Sequence, residues 1–246
     1  MGRNTGLFRK NMVLTNKHEI EEAVLQGKSL ARMIVAENKV LPGKFYVLLK
    51  QHHIPIQKLP GELIRTKYKI DTGMIAFVEE INLLSLEELL DREKKHTYGR
   101  ILIADHIEDP QNVGAMIRTC AAFDFDGVLL PDRRAAFISE GVSRSSSGAI
   151  FQVPIAKTHN LTLAIETLQK KDYWIVGTSP ESKQTIQEID TKRNIALILG
   201  NEDKGIHQKL TEKCDYMVHI PMSANLQSLN VSVAFGIFAY ELYLQV

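Results

Sequence analysis

Three short stretches of this chain concentrate the groups that could do chemistry. In "IEDPQNVGAMIRT", Pro110 breaks the chain ahead of a helix and Asn112 can cap its first turn. Arg118 follows six residues later, nearly two turns on. An arginine there can grip a phosphate or orient a hydroxyl; the plainer reading is a surface residue in a salt bridge. In "LGNEDKG", Gly200 lets backbone approach a ligand closely and Gly205 relieves the turn. Glu202 is either a site group or a solvated turn carboxylate. In "IPMSANLQSLNVSVAFG", a polar run of small residues passes into an almost wholly apolar helix. Ser228 is a reasonable N-cap there, and Asn230 projects from the first turn, where free backbone N–H groups can meet a ligand. Ser228 and Ser232 lie four apart on one face, although Ser232 can equally back-bond to its own helix.

These groups need elements that position them. Each stretch follows an apolar run that reads as a strand: "ILIAD", "IALILG" and "YMVHIP". From Gly99 onward strands and helices alternate, with "GVLLP" and "YWIVGTS" as further strands. Helices are expected at Asn112–Phe123, Leu161–Lys171, Lys204–Leu210 and Ser228–Leu244. "FISEGVSRSSSGAIF" reads as a polar loop with one turn of helix. The strands are continuous apolar runs, the mark of a parallel sheet covered on both faces, where ligands bind at strand ends. The closing helix is apolar nearly all round, so a second subunit can cover part of it.

Upstream, residues 1–12 read as a flexible basic arm and 13–83 as a compact α/β module. His18–Gln26 is its helix, and Ser29–Ala36 and Gly73–Glu79 are its strands. The charged stretch 84–98 reads as a linker, with Ser85 and Glu88 in capping-box spacing. Residues 1–80 carry 13 Lys and Arg against 8 Asp and Glu, on a chain whose net charge is only +1. A basic module beside a mildly acidic body suits a polyanion such as nucleic acid, though scattered surface charge gives the same count.

With 44% hydrophobic residues the chain can bury a real core. No apolar run approaches the roughly 20 residues needed to span a bilayer, and the N-terminus has no apolar signal region. A soluble, cytoplasmic protein is expected. The two cysteines, Cys120 and Cys214, read as reduced, buried thiols. There is no G-x-G-x-x-G and no P-loop, which removes support for nicotinamide cofactors and nucleoside triphosphates. The eight histidines show no H-E-x-x-H or similar spacing, so no metal site is assigned. His52-His53 reads as a solvated turn, and no Ser/His/Asp set stands out.

"NVGAMIRT", "LGNEDKG" and "IPMSANLQSLNVSVAFGIFAYE" resemble the three motifs of the SpoU (TrmH-like) branch of the SPOUT methyltransferases, over Gly99 to Val246. "SLNVSVA" is the most specific of them. The resemblance implies methylation of a ribose 2′-hydroxyl of RNA from S-adenosylmethionine, leaving S-adenosylhomocysteine, with no metal. It implies an α/β parallel sheet whose C-terminal part forms a deep trefoil knot. Asn112, Arg118, Glu202, Ser228 and Asn230 fall on active-site positions; Gly200, Ile220, Leu229 and, more weakly, Thr178 fall on cofactor-binding positions. A homodimer joined through the catalytic domain is implied. Residues 1–83 resemble a small ribosomal-protein-like RNA-binding domain. That layout favours a guanosine of large-subunit (23S) ribosomal RNA, by analogy. Ala224 stands where the family commonly has glycine, and Asp71-Thr72-Gly73 replaces a common His-Gln-Gly run. Two alternatives stay open: a transfer RNA substrate, and a non-catalytic RNA-binding or ribosome assembly factor.

Overall fold

Short apolar runs separated by Gly, Pro and Asn set the elements of the first part of the chain. The computed structural model describes residues 12–79, 81–133, 138–223 and 228–245. The expected basic arm, except Met12, lies outside these residues, and so does Ala224. The chain divides into two compact units, Met1–Asn82 and Leu83–Val246.

The first unit runs β1 (Met12–Leu14), α1 (Lys17–Leu25), β2 (Leu30–Ala36), α2 (Gly43–Gln51), β3 (Ile56–Leu59), α3 (Gly61–Tyr68) and β4 (Met74–Val78). Its sheet has the order β1-β4-β2-β3, antiparallel except for the β2–β3 pair. Ile34, Ala36, Ile64 and Ile75 form a buried cluster. Pro42 and Pro60 cap α2 and α3, both at φ −55, a value the pyrrolidine ring enforces. The Asp71-Thr72-Gly73 run is the turn into β4. Gly73 takes φ +68, Asp71 pairs with Arg65 at 3.1 Å, and the Thr72 carbonyl accepts from Lys39 Nζ at 2.8 Å.

The second unit runs α4 (Leu86–Leu90), β5 (Arg100–Asp105), α5 (Pro110–Ala122), β6 (Gly127–Pro131), α6 (Glu140–Ser146), β7 (Ile155–Thr158), α7 (Leu161–Lys170), β8 (Tyr173–Thr178), β9 (Gln184–Thr185), β10 (Asn194–Gly200), α8 (Gln208–Thr211), β11 (Tyr216–His219) and α9 (Val231–Leu244). The sheet order is β7-β6-β5-β10-β8-β11-β9, and every ladder in it is parallel. One face packs Ile101, Ile103, Ile175, Ala196 and Ile198 against Leu86 and Leu89 of α4 and Leu161, Ile165 and Leu168 of α7. Successive strand residues point to opposite faces. Helices α5 and α9 pack together, α5 contacts β6, and α9 contacts β10.

Three expectations are corrected. The start of the supposed linker belongs to the second unit: Leu84 exchanges backbone hydrogen bonds with Ile155 and Lys157, and Leu86 and Leu89 are buried. The capping box of Ser85 and Glu88 opens α4 as its spacing predicts. The polar stretch after β6 contains a true helix, α6, ended by Ser147 at φ +52 and Gly148 at φ +88. The helix expected from Lys204 begins only at Gln208, because Gly205 at φ +66 belongs to a turn closed on Asn201. Among the described residues no helix is long and apolar enough to cross a membrane.

Candidate active site at the ends of the central strands

The ladder between β5 and β10 ends with Gly200 opposite Asp105. From β5 the chain goes on to β6, while the other neighbour of β10 is β8. Such a divergence leaves a crevice at the carboxyl ends of the strands, where open α/β sheets bind ligands. The three motif stretches begin at the carboxyl ends of β5, β10 and β11.

Helix α5 starts with Pro110, and its cap is Asp109, whose side chain accepts from Gln111 N at 2.9 Å. Asn112 is therefore inside the first turn rather than capping it, and its side chain is free for other work. The closing helix begins at Val231, capped by Asn230 and not by Ser228. Asn230 Oδ1 accepts from Ser232 N at 2.9 Å and from the Ser232 hydroxyl at 2.6 Å. Ser232 therefore turns to the cap, not back along its own helix. Ser228 lies exposed ahead of the helix.

These caps leave one polar chain across the crevice. Asn230 Nδ2 donates to Asn112 Oδ1 at 3.0 Å, joining residues 118 apart in sequence. Asn112 Nδ2 donates in turn to Glu202 Oε1, 90 residues away. A carboxylate only accepts, so Glu202 fixes which way the Asn112 amide faces, and Asn112 then fixes that of Asn230. Asn112 is buried, whereas Glu202 and Asn230 are exposed at the mouth.

Arg118 does not join this chain. It is exposed on α5, and its Nη1 donates to Ser147 Oγ at 3.2 Å. Among the described residues it has no carboxylate partner, so the surface salt bridge is not its role in this structure. Among the described residues its hydrogen-bond partner is the Ser147 hydroxyl, and its charge faces solvent.

Gly200, Thr178 and Ile220 stand at or just beyond the ends of three adjacent strands, β10, β8 and β11. The Thr178 hydroxyl donates to Ile198 O at 3.1 Å, so it braces β10. Leu229 is half-buried and immediately precedes the α9 cap. Strand ends of this kind offer backbone groups that the sheet no longer uses, which suits a ligand held mostly through main chain. A β-carbon on Gly200 would lie 2.1 Å from Gly205 C and 2.2 Å from Ile206 N, so the turn closes directly over this residue.

The thiols play no part. Cys120 is buried and Cys214 half-buried. Burial pushes the Cys120 thiol well up, and burial with the nearby Asp215 carboxylate raises Cys214 to about 12. Neither is a thiolate at neutral pH.

One group escaped sequence reading. Asp105, His106 and His207 converge beside the crevice. Asp105 and His207 are 102 residues apart, and no local spacing rule could join them.

Truncating the α9 cap is testable on its own. Asn230→Ala is expected to cost about 1 kcal/mol, lowering the melting temperature by about 2–4 °C for a unit of this size. Thermal unfolding followed by circular dichroism checks it; an unchanged melting temperature would mean that the cap is not a stabilising contact.

The sequence profile of the SpoU rRNA Methylase family matches residues 99–240. A Staphylococcus saprophyticus protein grouped by name with the TrmH family tRNA/rRNA methyltransferases is 30% identical over 245 residues, covering 95% of this chain and 96% of its own. The SpoU methyltransferase AviRb from Streptomyces viridochromogenes, solved with the cofactor AdoMet, superposes with a TM-score of 0.82 at 22% identity, covering 99% of this chain and 94% of that one. The A. aeolicus TrmH/SpoU tRNA modifying enzyme superposes with a TM-score of 0.55 at 32% identity, over 65% of this chain and 80% of that one.

Proposed function

This chain belongs to the SpoU rRNA methylase family, and from that premise we propose that it methylates the 2′-hydroxyl of a guanosine ribose in large-subunit (23S) ribosomal RNA. It is an RNA methyltransferase, with S-adenosylmethionine as methyl donor and S-adenosylhomocysteine as product. The observation that carries this reading is the Asn230–Asn112–Glu202 chain, which joins one polar residue from each motif at the strand ends.

The cofactor seat is formed by Gly200, Thr178, Ile220 and Leu229, largely through backbone. The bound donor supplies an electrophilic methyl group. The protein has to position the ribose and stabilise the charge left when its hydroxyl loses a proton. A guanidinium only donates hydrogen bonds, so Arg118 stabilises the developing alkoxide and holds the adjacent phosphate, and the released proton passes to solvent water. Asn230 and Ser228 orient the ribose, and Glu202 holds Asn112 in place.

The C-terminal part is threaded as a deep trefoil knot. This is supported by the late strand β10 lying between β5 and β8, and by α9 returning to α5. The chain works in the cytoplasm as a homodimer through the second unit. Val233, Ile237, Tyr240 and Leu244, at helical spacing along α9, are exposed and apolar, a face that a second copy would cover. The first unit grips folded RNA through phosphate and shape. The tRNA reading persists because relatives carry both substrates in their names.

Tritium transfer from labelled S-adenosylmethionine to unmodified large-subunit rRNA, small-subunit rRNA and bulk tRNA, with mapping of the labelled ribose, decides among them. Label at one large-subunit guanosine is expected. Label confined to tRNA would establish the second substrate, and no label with no cofactor binding would leave an assembly factor. Removing residues 1–82 is expected to leave cofactor affinity unchanged and to lower methylation of the full RNA by at least about tenfold, since phosphate contacts dominate such affinity. Unchanged methylation would refute the RNA-binding role.

A further inference from the structure

We propose that Asp105, His106 and His207 form a divalent transition-metal site, with Zn2+ as the fitting ion, separate from the methyl-transfer chemistry.

The three residues each offer one ligand atom, and these atoms lie within 4.8 Å of one another. His106 Nδ1 is 2.5 Å from Asp105 Oδ1, and His207 Nδ1 is 2.9 Å from Asp105 Oδ2. The two imidazole rings stand 4.3 Å apart, tilted at 44°. Two imidazoles and one carboxylate with an open fourth position make a common zinc ligand set. Bonds of about 2.1 Å in a tetrahedron put ligand atoms about 3.4 Å apart, and the three ligand atoms here, within 4.8 Å of one another, lie on that scale.

Three further observations set this group apart from an ordinary surface cluster. Asp105 is completely buried, and its Oδ2 is also fixed by the His207 backbone N–H at 2.8 Å. A buried carboxylate fixed by a backbone N–H beside two imidazole nitrogens is a ligand already oriented before any ion arrives. His106 sits at φ +57, in the left-handed region that L-residues rarely adopt. Its carbonyl accepts from Asn201 Nδ2 at 3.2 Å, so the strained residue is tied down on its other side as well. Finally, the cluster lines a cleft of about 840 Å3 that also includes Asp132, His159 and Lys209. His207 is 42% exposed, so solvent and ions can reach it.

An ion here would clasp the end of β5 to the start of α8. Between β10 and α8 lies the turn that carries Glu202. Its effect would be to stiffen that turn, not to supply a reaction step.

The test uses the full chain, free of any purification tag and stripped by chelation. ZnCl2 is titrated by calorimetry, and CoCl2 by visible absorption, which distinguishes tetrahedral from hydrated cobalt. One ion per chain is expected, with a tetrahedral cobalt spectrum and a Zn2+-dependent rise in melting temperature. His207→Ala and His106→Asn should each weaken binding by at least about tenfold and abolish the thermal shift; asparagine is chosen because it tolerates φ > 0. His159→Ala should leave both unchanged. No saturable binding, or Zn2+ bound equally well by His207→Ala and His106→Asn, would overturn the site. Circular dichroism of the metal-free variants separates lost ligation from lost folding.

Discussion

Arg118→Ala is expected to lower the rate of methyl transfer by about 10²–10³-fold while leaving S-adenosylmethionine affinity unchanged. The residue lies on α5, and among the described residues it bonds to the Ser147 hydroxyl and no carboxylate neutralises it. Its loss therefore uncovers no buried partner and leaves the helix intact. What disappears is a positive charge positioned for the substrate. Arg118→Lys separates charge from shape: a lysine restores a point charge but not the planar fork that engages phosphate and hydroxyl together. Single-turnover rates with saturating RNA, beside calorimetry of cofactor binding, check both variants. Near-full turnover by Arg118→Lys at unchanged RNA affinity would show that the guanidinium has no specific role.

Gly200→Ala should instead weaken cofactor binding and destabilise the second unit. The new methyl would sit 2.1–2.4 Å from Gly205 C, Ile206 N and Gly205 O, all of them backbone atoms. A side chain could rotate away; a closed turn cannot. Overpacking of this kind costs about 1–3 kcal/mol, relieved only by moving the 201–206 turn. That movement carries Glu202 away from Asn112. At least about a tenfold loss of S-adenosylmethionine affinity is expected, equivalent to about 1.4 kcal/mol, with a lower melting temperature. Gly205→Ala is the control. Among the described residues nothing lies within 4 Å of its added β-carbon, but φ +66 costs about 1–2 kcal/mol. It should destabilise without a matching loss of affinity. Normal affinity in Gly200→Ala would remove this turn from the cofactor seat.

The strands that carry the site were legible because a parallel strand covered on both faces must be apolar throughout. "RILIAD", "YWIVGT" and "NIALILG" could be little else. Shorter elements hid for the same reason in reverse. β1, β3 and β9 have two to four residues, too few for any period to emerge. Helix α4 was taken for a linker because charged residues surround its two buried leucines. Caps were misplaced by small steps. Asp109 outcompetes Asn112 because Pro110 fixes the first helical residue, and Asn230 outcompetes Ser228. In both cases the displaced reading changed what the side chain is free to do. The Asp105, His106 and His207 cluster was beyond any local pattern, since only the pairing of β5 with β10 brings its parts together.

That pairing has a consequence during synthesis. β10 lies in the middle of the sheet but arrives after β5, β6, β7 and β8 have all left the ribosome. Until then β5 and β8 each present an open apolar edge, the kind of surface that invites pairing with another chain. Bridging them requires closing long loops, which makes folding slow and leaves the unfinished sheet exposed meanwhile. The strand that bridges β5 and β8 also delivers Gly200 and the Glu202 turn. Closing the gap between β5 and β8 thus also brings Glu202 to Asn112, and the crevice is completed only when α9 arrives with Asn230.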